Sequence, residues 1–247
     1  MVVSSPQGRF SKEAAEITET TLEKVTAHGK HLFFHFENNK VVHVHLGLYG
    51  WFRFFDAEDD DALSRGTSSV RMQMQTDWII SRLSGPTTCK LIDSWQVEEI
   101  VEKLGPDPIH VDSDKEIAWN KISKSRKTIA SLLMDQSVIA GIGNVYRAEF
   151  LFMAGLYPYI VGADTTRESF DSLWSLFQKY MRLGSLDGVI RTVDYKIVEN
   201  SINKPTAHQQ LTWVYGRTGY PCMICGYAIV SSQVDGRTLY WCPECQA

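Results

Sequence analysis

Two cysteine pairs near the C-terminus constrain this chain more than any other feature. Cys222-Met223-Ile224-Cys225 and Cys242-Pro243-Glu244-Cys245 are separated by 16 residues. Each CxxC turn supplies two adjacent thiolates, and a tetrahedral zinc site takes four. The intervening stretch suffices for a β-hairpin that brings the second pair back to the first. Ala228 to Ser232 and Thr238 to Trp241 read as its strands, with Asp235-Gly236 as the turn. The expectation is one structural Zn2+ held by Cys222, Cys225, Cys242 and Cys245, because four protein ligands leave no open coordination position. Arg237 sits at the tip of that hairpin, where a cation on a metal-stiffened arm is placed to meet a phosphate. The fifth cysteine, Cys89, stands alone.

The rest of the chain divides by pattern. In the first half, 31–36, 41–46 and 51–55 are short runs of aromatic and β-branched residues, and Asn38-Asn39 marks a turn. Val70 to Gln75 alternates with period two, and Asp77 to Leu83 follows it. Short strands with turn signals between them predict a sandwich or barrel. Leu104-Gly105-Pro106-Asp107-Pro108 breaks regular structure. Helical periodicity follows, with helices over Thr128–Met134, Val145–Ala154 (ended by Gly155) and Arg167–Leu183 (ended by Gly184).

Charge alone argues mildly against nucleic acid, with a net −4 and a pI of 6.0. That total hides an acidic cluster, Asp56 and Glu58 to Asp61, and a basic one, Lys121, Lys124, Arg126 and Lys127, whose Arg126 is the candidate contact to a phosphate backbone. Gly141-Ile142-Gly143-Asn144 joins two helical segments. The free N–H groups at the following helix start favour a phosphate, and the Asn144 amide adds a donor; an ordinary corner capped by Asn144 is the competing reading. Gly47-Leu48-Tyr49-Gly50 presents two apolar side chains on a tight loop, the shape of a wedge that fills a gap in stacked bases, unless both join the core. Lys30 follows His28-Gly29 at the start of a strand. His31, His35, His43 and His45 read as strand-face histidines. No apolar run reaches transmembrane length, and the first residues are too polar for a signal peptide.

Together, Gly29-Lys30-His31, His45-Leu46-Gly47-Leu48-Tyr49-Gly50, the 104–108 linker, Met134-Asp135-Gln136 through Gly141-Ile142-Gly143-Asn144-Val145-Tyr146, Tyr215-Gly216-Arg217 and the two CxxC pairs resemble the formamidopyrimidine-DNA glycosylase/endonuclease VIII family, nearest its endonuclease VIII branch. The resemblance runs from about Ser4 to the C-terminus. It implies an α+β chain: an N-terminal β-sandwich (1–104), a helix–two-turn–helix domain (105–209) and a C-terminal β-hairpin zinc finger (210–247). DNA would lie in the cleft between the halves. By position it makes Lys30 the β-elimination lysine and Arg237 the δ-elimination and phosphate-binding arginine. Asn144 becomes the helix-turn phosphate ligand, Lys103 a DNA contact before the linker, and Leu48 and Tyr49 the void-filling loop. The implied activity is base-excision repair: a glycosylase and abasic-site lyase acting as a monomer on double-stranded DNA with a damaged base or abasic site, in the cytoplasm and on the nucleoid. The family opens Met-Pro-Glu, and the proline amine attacks the sugar. Here Val2 and Val3 follow Met1, and the nitrogen of Pro6 is an amide. A missing leading segment is the favoured expectation; a truncated, lyase-deficient binder of damaged DNA is the alternative.

Overall fold

The computed structural model describes residues 1–58, 67–193 and 211–247. The chain divides into two compact units, Met1–Lys103 and Leu104–Ala247. Asp59, Asp60 and Asp61 of the acidic cluster, and the 209/210 boundary, lie outside the described residues.

The first unit is a sandwich of two antiparallel four-stranded sheets. One has the order β1 (Val2–Ser4), β6 (Val70–Gln75), β7 (Ile79–Ser84), β5 (Trp51–Asp56). The other has the order β2 (Leu22–His28), β3 (His31–Phe36), β4 (Lys40–His45), β8 (Thr88–Asp93). Period-two alternation decides what lies between them: Met72, Met74 and Leu83 from one sheet meet Phe34, Phe36, Val42 and Val44 from the other. The helix α1 (Ser11–Ile17) adds its apolar stripe, Ala14 and Ile17, with Phe10 just before it. Strands β2 and β8, α1 and α2 (Gln96–Val101) carry more polar sequence and were not expected from pattern.

The other face of the second sheet carries the histidines. Register places His31 opposite His45 and Phe33 opposite His43. The His31 and His43 rings stack at 5.0 Å between centroids, and His31 Nδ1 lies 2.8 Å from His43 Nε2. Burial pushes the His31 pKa down to about 4, with repulsion from His43, His45, His28 and Lys30 adding to it. The same burial lowers His43 and His45. These shifts fix a sign. As pH falls below 6.5 the unfolded chain takes up protons that the folded sheet refuses, so stability is lost from about 6.5 downward towards 4. Unfolding midpoints in urea should therefore drop between pH 7 and pH 5.5, above the range where ordinary carboxylates titrate. The double variant His31→Asn/His43→Asn should flatten that slope, and an unchanged slope would count against the pair as its source.

The second unit is built on helices: α3 (Lys115–Ile122), α4 (Ile129–Leu132), α5 (Asn144–Met153), a 3-10 turn (Gly162–Asp164) and α6 (Arg167–Asp187), followed by the hairpin β9 (Val230–Val234) and β10 (Arg237–Trp241). Side-chain caps start three of them. Asp114 accepts from Glu116 N, Thr128 from Ser131 N and Thr166 from Ser169 N. The expected end of the long helix at Gly184 is a correction: α6 runs on to Asp187 and stops at Gly188, which takes φ 67°. Gly184 serves close approach instead. A Cβ there would stand 2.1 Å from the Tyr146 hydroxyl, which donates to the Tyr180 carbonyl. The expected helix over Thr128–Met134 shrinks to α4, because the chain turns at Leu133 towards the glycine corner. No described helix is long and apolar enough to cross a membrane.

Candidate nucleic-acid interface and metal centre

The hairpin forms because Asp235 and Gly236 both take positive φ, 52° and 70°, the backbone of a two-residue I′ turn. Arg237 pairs with Val234 and Trp241 with Val230. The strands thus start two residues later on one side and one residue earlier on the other than the sequence suggested. Arg237 is exposed at the tip, beside the turn. At the base, the sulfurs of Cys222, Cys225, Cys242 and Cys245 all lie within 4.8 Å of one another. The Cys225–Cys242 pair stands at 3.4 Å and the Cys222–Cys245 pair at 3.9 Å. Bonds of about 2.3 Å to a tetrahedral ion give edges of about 3.8 Å, so the four thiolates fit a structural metal ion. The backbone N–H of Ile224 points at the Cys222 sulfur at 3.4 Å, the arrangement a CxxC turn offers a thiolate.

Asn144 opens α5, and the helix cap position belongs to Gly143. The reading of Asn144 as a cap is therefore corrected: its side chain makes no capping bond. Its amide Nδ2 donates to the Thr238 carbonyl in β10 at 2.8 Å, one residue from Arg237. Its Oδ1 accepts from Arg147 Nη2. The helix corner and the four-cysteine hairpin thus converge on one place. A second tie joins the Tyr159 and Ser232 hydroxyls across the same junction.

Sequence reasoning missed the buried polar residues that hold this junction. Arg147 is fully buried, and its Nε and Nη1 have no hydrogen-bond partner among the described residues. Burial lowers its pKa; Asp235 attracts it and Arg237 repels it. Glu149, one turn away from Val145, is also fully buried. Its carboxylate accepts from Trp213 N at 2.7 Å, Val214 N at 2.9 Å, Tyr215 N at 2.9 Å and the Thr192 hydroxyl. Gln246 accepts from Cys242 N at 3.0 Å and donates to the Leu156 carbonyl at 2.9 Å. The signal was present. Tyr146 to Phe152 is buried at every position, so a charged residue inside that run must have an internal partner.

The remaining candidates lie apart in sequence. Leu48 and Tyr49 are 69% and 82% exposed, so neither joins the core. Their loop is closed by Gly50 N donating to Leu46 O at 3.0 Å. Glycine is required at both flanks: a Cβ on Gly47 would stand 1.9 Å from Thr87 Oγ1, and one on Gly50 2.3 Å from Leu46 O. Lys30 is half-buried in the two-residue turn that joins β2 to β3, where Gly29 takes φ 56°. Lys103 and Arg126 are exposed. In the basic cluster Lys127 pairs with Asp135 at 3.5 Å.

Two domain models match the chain: the formamidopyrimidine-DNA glycosylase N-terminal domain over residues 2–85 and the formamidopyrimidine-DNA glycosylase H2TH domain over 104–192. Endonuclease 8 1 of Mycobacterium tuberculosis is 41% identical over 248 residues, covering 99% of this chain and 91% of that protein. The chain belongs to the formamidopyrimidine-DNA glycosylase/endonuclease 8 family. A second family member, formamidopyrimidine-DNA glycosylase of Lactococcus lactis, is 29% identical, over 96% of this chain and 86% of its own length. The fold agrees with that of the Lactococcus lactis protein solved in complex with abasic-site DNA, at TM-score 0.78 and 25% identity over 95% of this chain and 85% of that one. A complex of the same protein with FAPY-dG DNA gives TM-score 0.77 at 26% identity, again over 95% and 85%. Within the family frame, seven of the eight sandwich strands, β1 to β7, fall in the N-terminal domain match and Asn144 in the H2TH match, while β8 and the four cysteines lie beyond both.

Proposed function

We propose that this chain is a base-excision-repair DNA glycosylase that acts on double-stranded DNA holding an oxidised base or an abasic site, and that it cleaves the strand by elimination. The observation that carries the reading is the Asn144–Thr238 bond, which sets an amide at a helix start beside the exposed Arg237. An amide nitrogen has two hydrogens, and the one not given to Thr238 serves a phosphate oxygen. The N-terminus of α5 and Arg237 favour the same anion. In this reading Cys222, Cys225, Cys242 and Cys245 hold one Zn2+, which stiffens the hairpin and takes no part in the chemistry.

The other roles follow the family likeness. Lys30 serves β-elimination, and Arg237 serves δ-elimination as well as phosphate contact. Lys103 and Arg126 meet the backbone. Leu48 and Tyr49 enter the helix where the damaged nucleotide leaves the stack, a use that their exposure on a rigid loop supports. The division into 1–104, 105–209 and 210–247 is part of the same proposal, as is work by a monomer on the DNA of the bacterial cytoplasm.

Binding to an abasic-site duplex, measured against salt, tests the reading. Asn144→Ala and Arg237→Ala should each weaken it by about 1–3 kcal/mol, roughly 5–150-fold, as an amide–phosphate or charge-assisted bond is lost. Arg237→Ala should also lower the salt slope by about 1, and Asn144→Ala should leave it alone. Two variants with wild-type affinity would remove the shared phosphate site. Borohydride trapping on the same duplex reads the elimination step: a covalent adduct supports the lyase, and tight binding with no adduct supports binding alone.

A further inference from the structure

Arg217 has no part in the function proposed above, yet it is one of the two largest fully buried side chains among the described residues. Its Nη1 donates to the Trp213 carbonyl and its Nη2 to the Pro221 carbonyl at 2.9 Å. Its Nε is buried with no hydrogen-bond partner among the described residues. Among the described residues no carboxylate reaches it within ion-pair distance. Two carbonyls orient a guanidinium but do not neutralise it, and a buried charge without a counter-charge is costly. Burial lowers its pKa, and Cys222 and Glu149 pull it back up. The Glu149 carboxylate accepts from four donors, and Arg217 is not one of them. Cys222 follows directly on Pro221, whose carbonyl Arg217 holds. A divalent ion among four thiolates leaves two net negative charges at that spot, on the buried side of the hairpin base where Cys222 and Cys242 lie.

We propose that Arg217 is the built-in counter-cation of the four-cysteine metal centre: a positioning residue whose fixed charge raises the affinity of that centre for its ion. The thiolate cluster with its ion supplies the negative partner that Arg217 lacks among carboxylates. Arg217 in turn offsets, from the buried side of Cys222 and Cys242, the charge that the cluster accumulates. The inference rests on the metal reading, so the metal content of the wild-type full chain is measured first by native mass spectrometry. That measurement tests the metal centre by itself.

The variants then test Arg217. Zinc transfer to a chromogenic chelator is followed for wild type, Arg217→Lys, Arg217→Gln and Arg217→Met, with the sulfur-to-metal band of the cobalt-substituted proteins as a second reading. Loss of an outer-sphere partner typically costs 10–100-fold in metal affinity, and about that loss is expected for both Gln and Met. Lys keeps the charge and should stay within about 3-fold of wild type. Gln, which still donates to a carbonyl, separates charge from hydrogen bonding. If Gln holds zinc as well as Lys does, Arg217 is only a carbonyl tie and the proposal fails. It fails equally if Met holds zinc as wild type does, or if Lys is as poor as Met. Should Met not fold, the Lys and Gln pair decides.

Discussion

Stripping the metal with a chelator is expected to unfold the C-terminal hairpin and leave the β-sandwich folded. Structural zinc sites contribute about 10–16 kcal/mol of apparent binding free energy, and that energy is folding energy because no preformed site exists in the open chain. The hairpin has little else of its own. It has two strands of five residues, and an isolated two-stranded hairpin is marginal in water. What it buries, it buries jointly with the helices. Cys222, Cys242, Ile229 and Leu239 belong to one apolar cluster with Phe150, Phe152, Trp174 and Phe177. Loss of the ion should therefore also loosen the packing of α5. Amide hydrogen exchange checks this: protection should vanish across 222–246, weaken over 144–153, and persist over 31–45 and 70–93. Full protection of 222–246 after chelation would mean that packing alone folds the hairpin. DNA binding should disappear together with the protection.

Glu149→Ala is the second large effect, at about 3–5 kcal/mol of stability. The wild-type carboxylate satisfies three consecutive backbone N–H groups and the Thr192 hydroxyl in a place with no solvent. Alanine removes the acceptor and strands the three backbone N–H groups, while the Thr192 hydroxyl keeps the Leu211 carbonyl at 3.2 Å. Each stranded N–H costs its full desolvation, whatever the net worth of the bonds that were made. Glu149→Gln keeps the shape, yet turns one acceptor oxygen into an NH2 that faces donors. It should recover only part of the loss. Burial pushes the Glu149 carboxyl upward and the four donors pull it back down. Denaturant midpoints of the three proteins decide the matter, and an alanine variant within about 1 kcal/mol of wild type would show that the 213–215 segment is held by something else.

Much of this was legible in the sequence where chemistry is local. Two CxxC pairs, a DG turn and alternating strands each carry their geometry within a few residues, so the four-cysteine cluster, the hairpin and the sandwich were readable. Strands β2 and β8 were not. The residues of β2 are half or fully exposed, and without a buried face there is no alternation to see. Gly184 misled because a glycine after a helical run ordinarily ends it, and only the distant Tyr146 explains why this one does not. Asn144 was singled out for its place at a helix start, but its bond to Thr238 spans 94 positions and no local pattern encodes it. Glu149 was overlooked, and Arg217 and Gln246 went no further than the motifs they belong to, for the same reason: their partners lie in other elements or across a turn whose path had to be known first. Arg147 was overlooked although its partner Asn144 is three residues away in the same helix.

The hairpin is mechanically a cantilever. Its fixed end is at Cys242 and its free end at Arg237, the proposed phosphate contact, five residues and about 17 Å away at the usual rise of a strand. A tilt of about 10° at the root would sweep the guanidinium through roughly 3 Å, more than a phosphate bond tolerates. Anchoring sulfur alone would thus leave the tip imprecise. The Asn144–Thr238 and Tyr159–Ser232 bonds sit out along the span and act as struts. Accuracy at the tip is therefore set near the load, and a substitution at Tyr159 should blur the aim of Arg237 while leaving the ion in place.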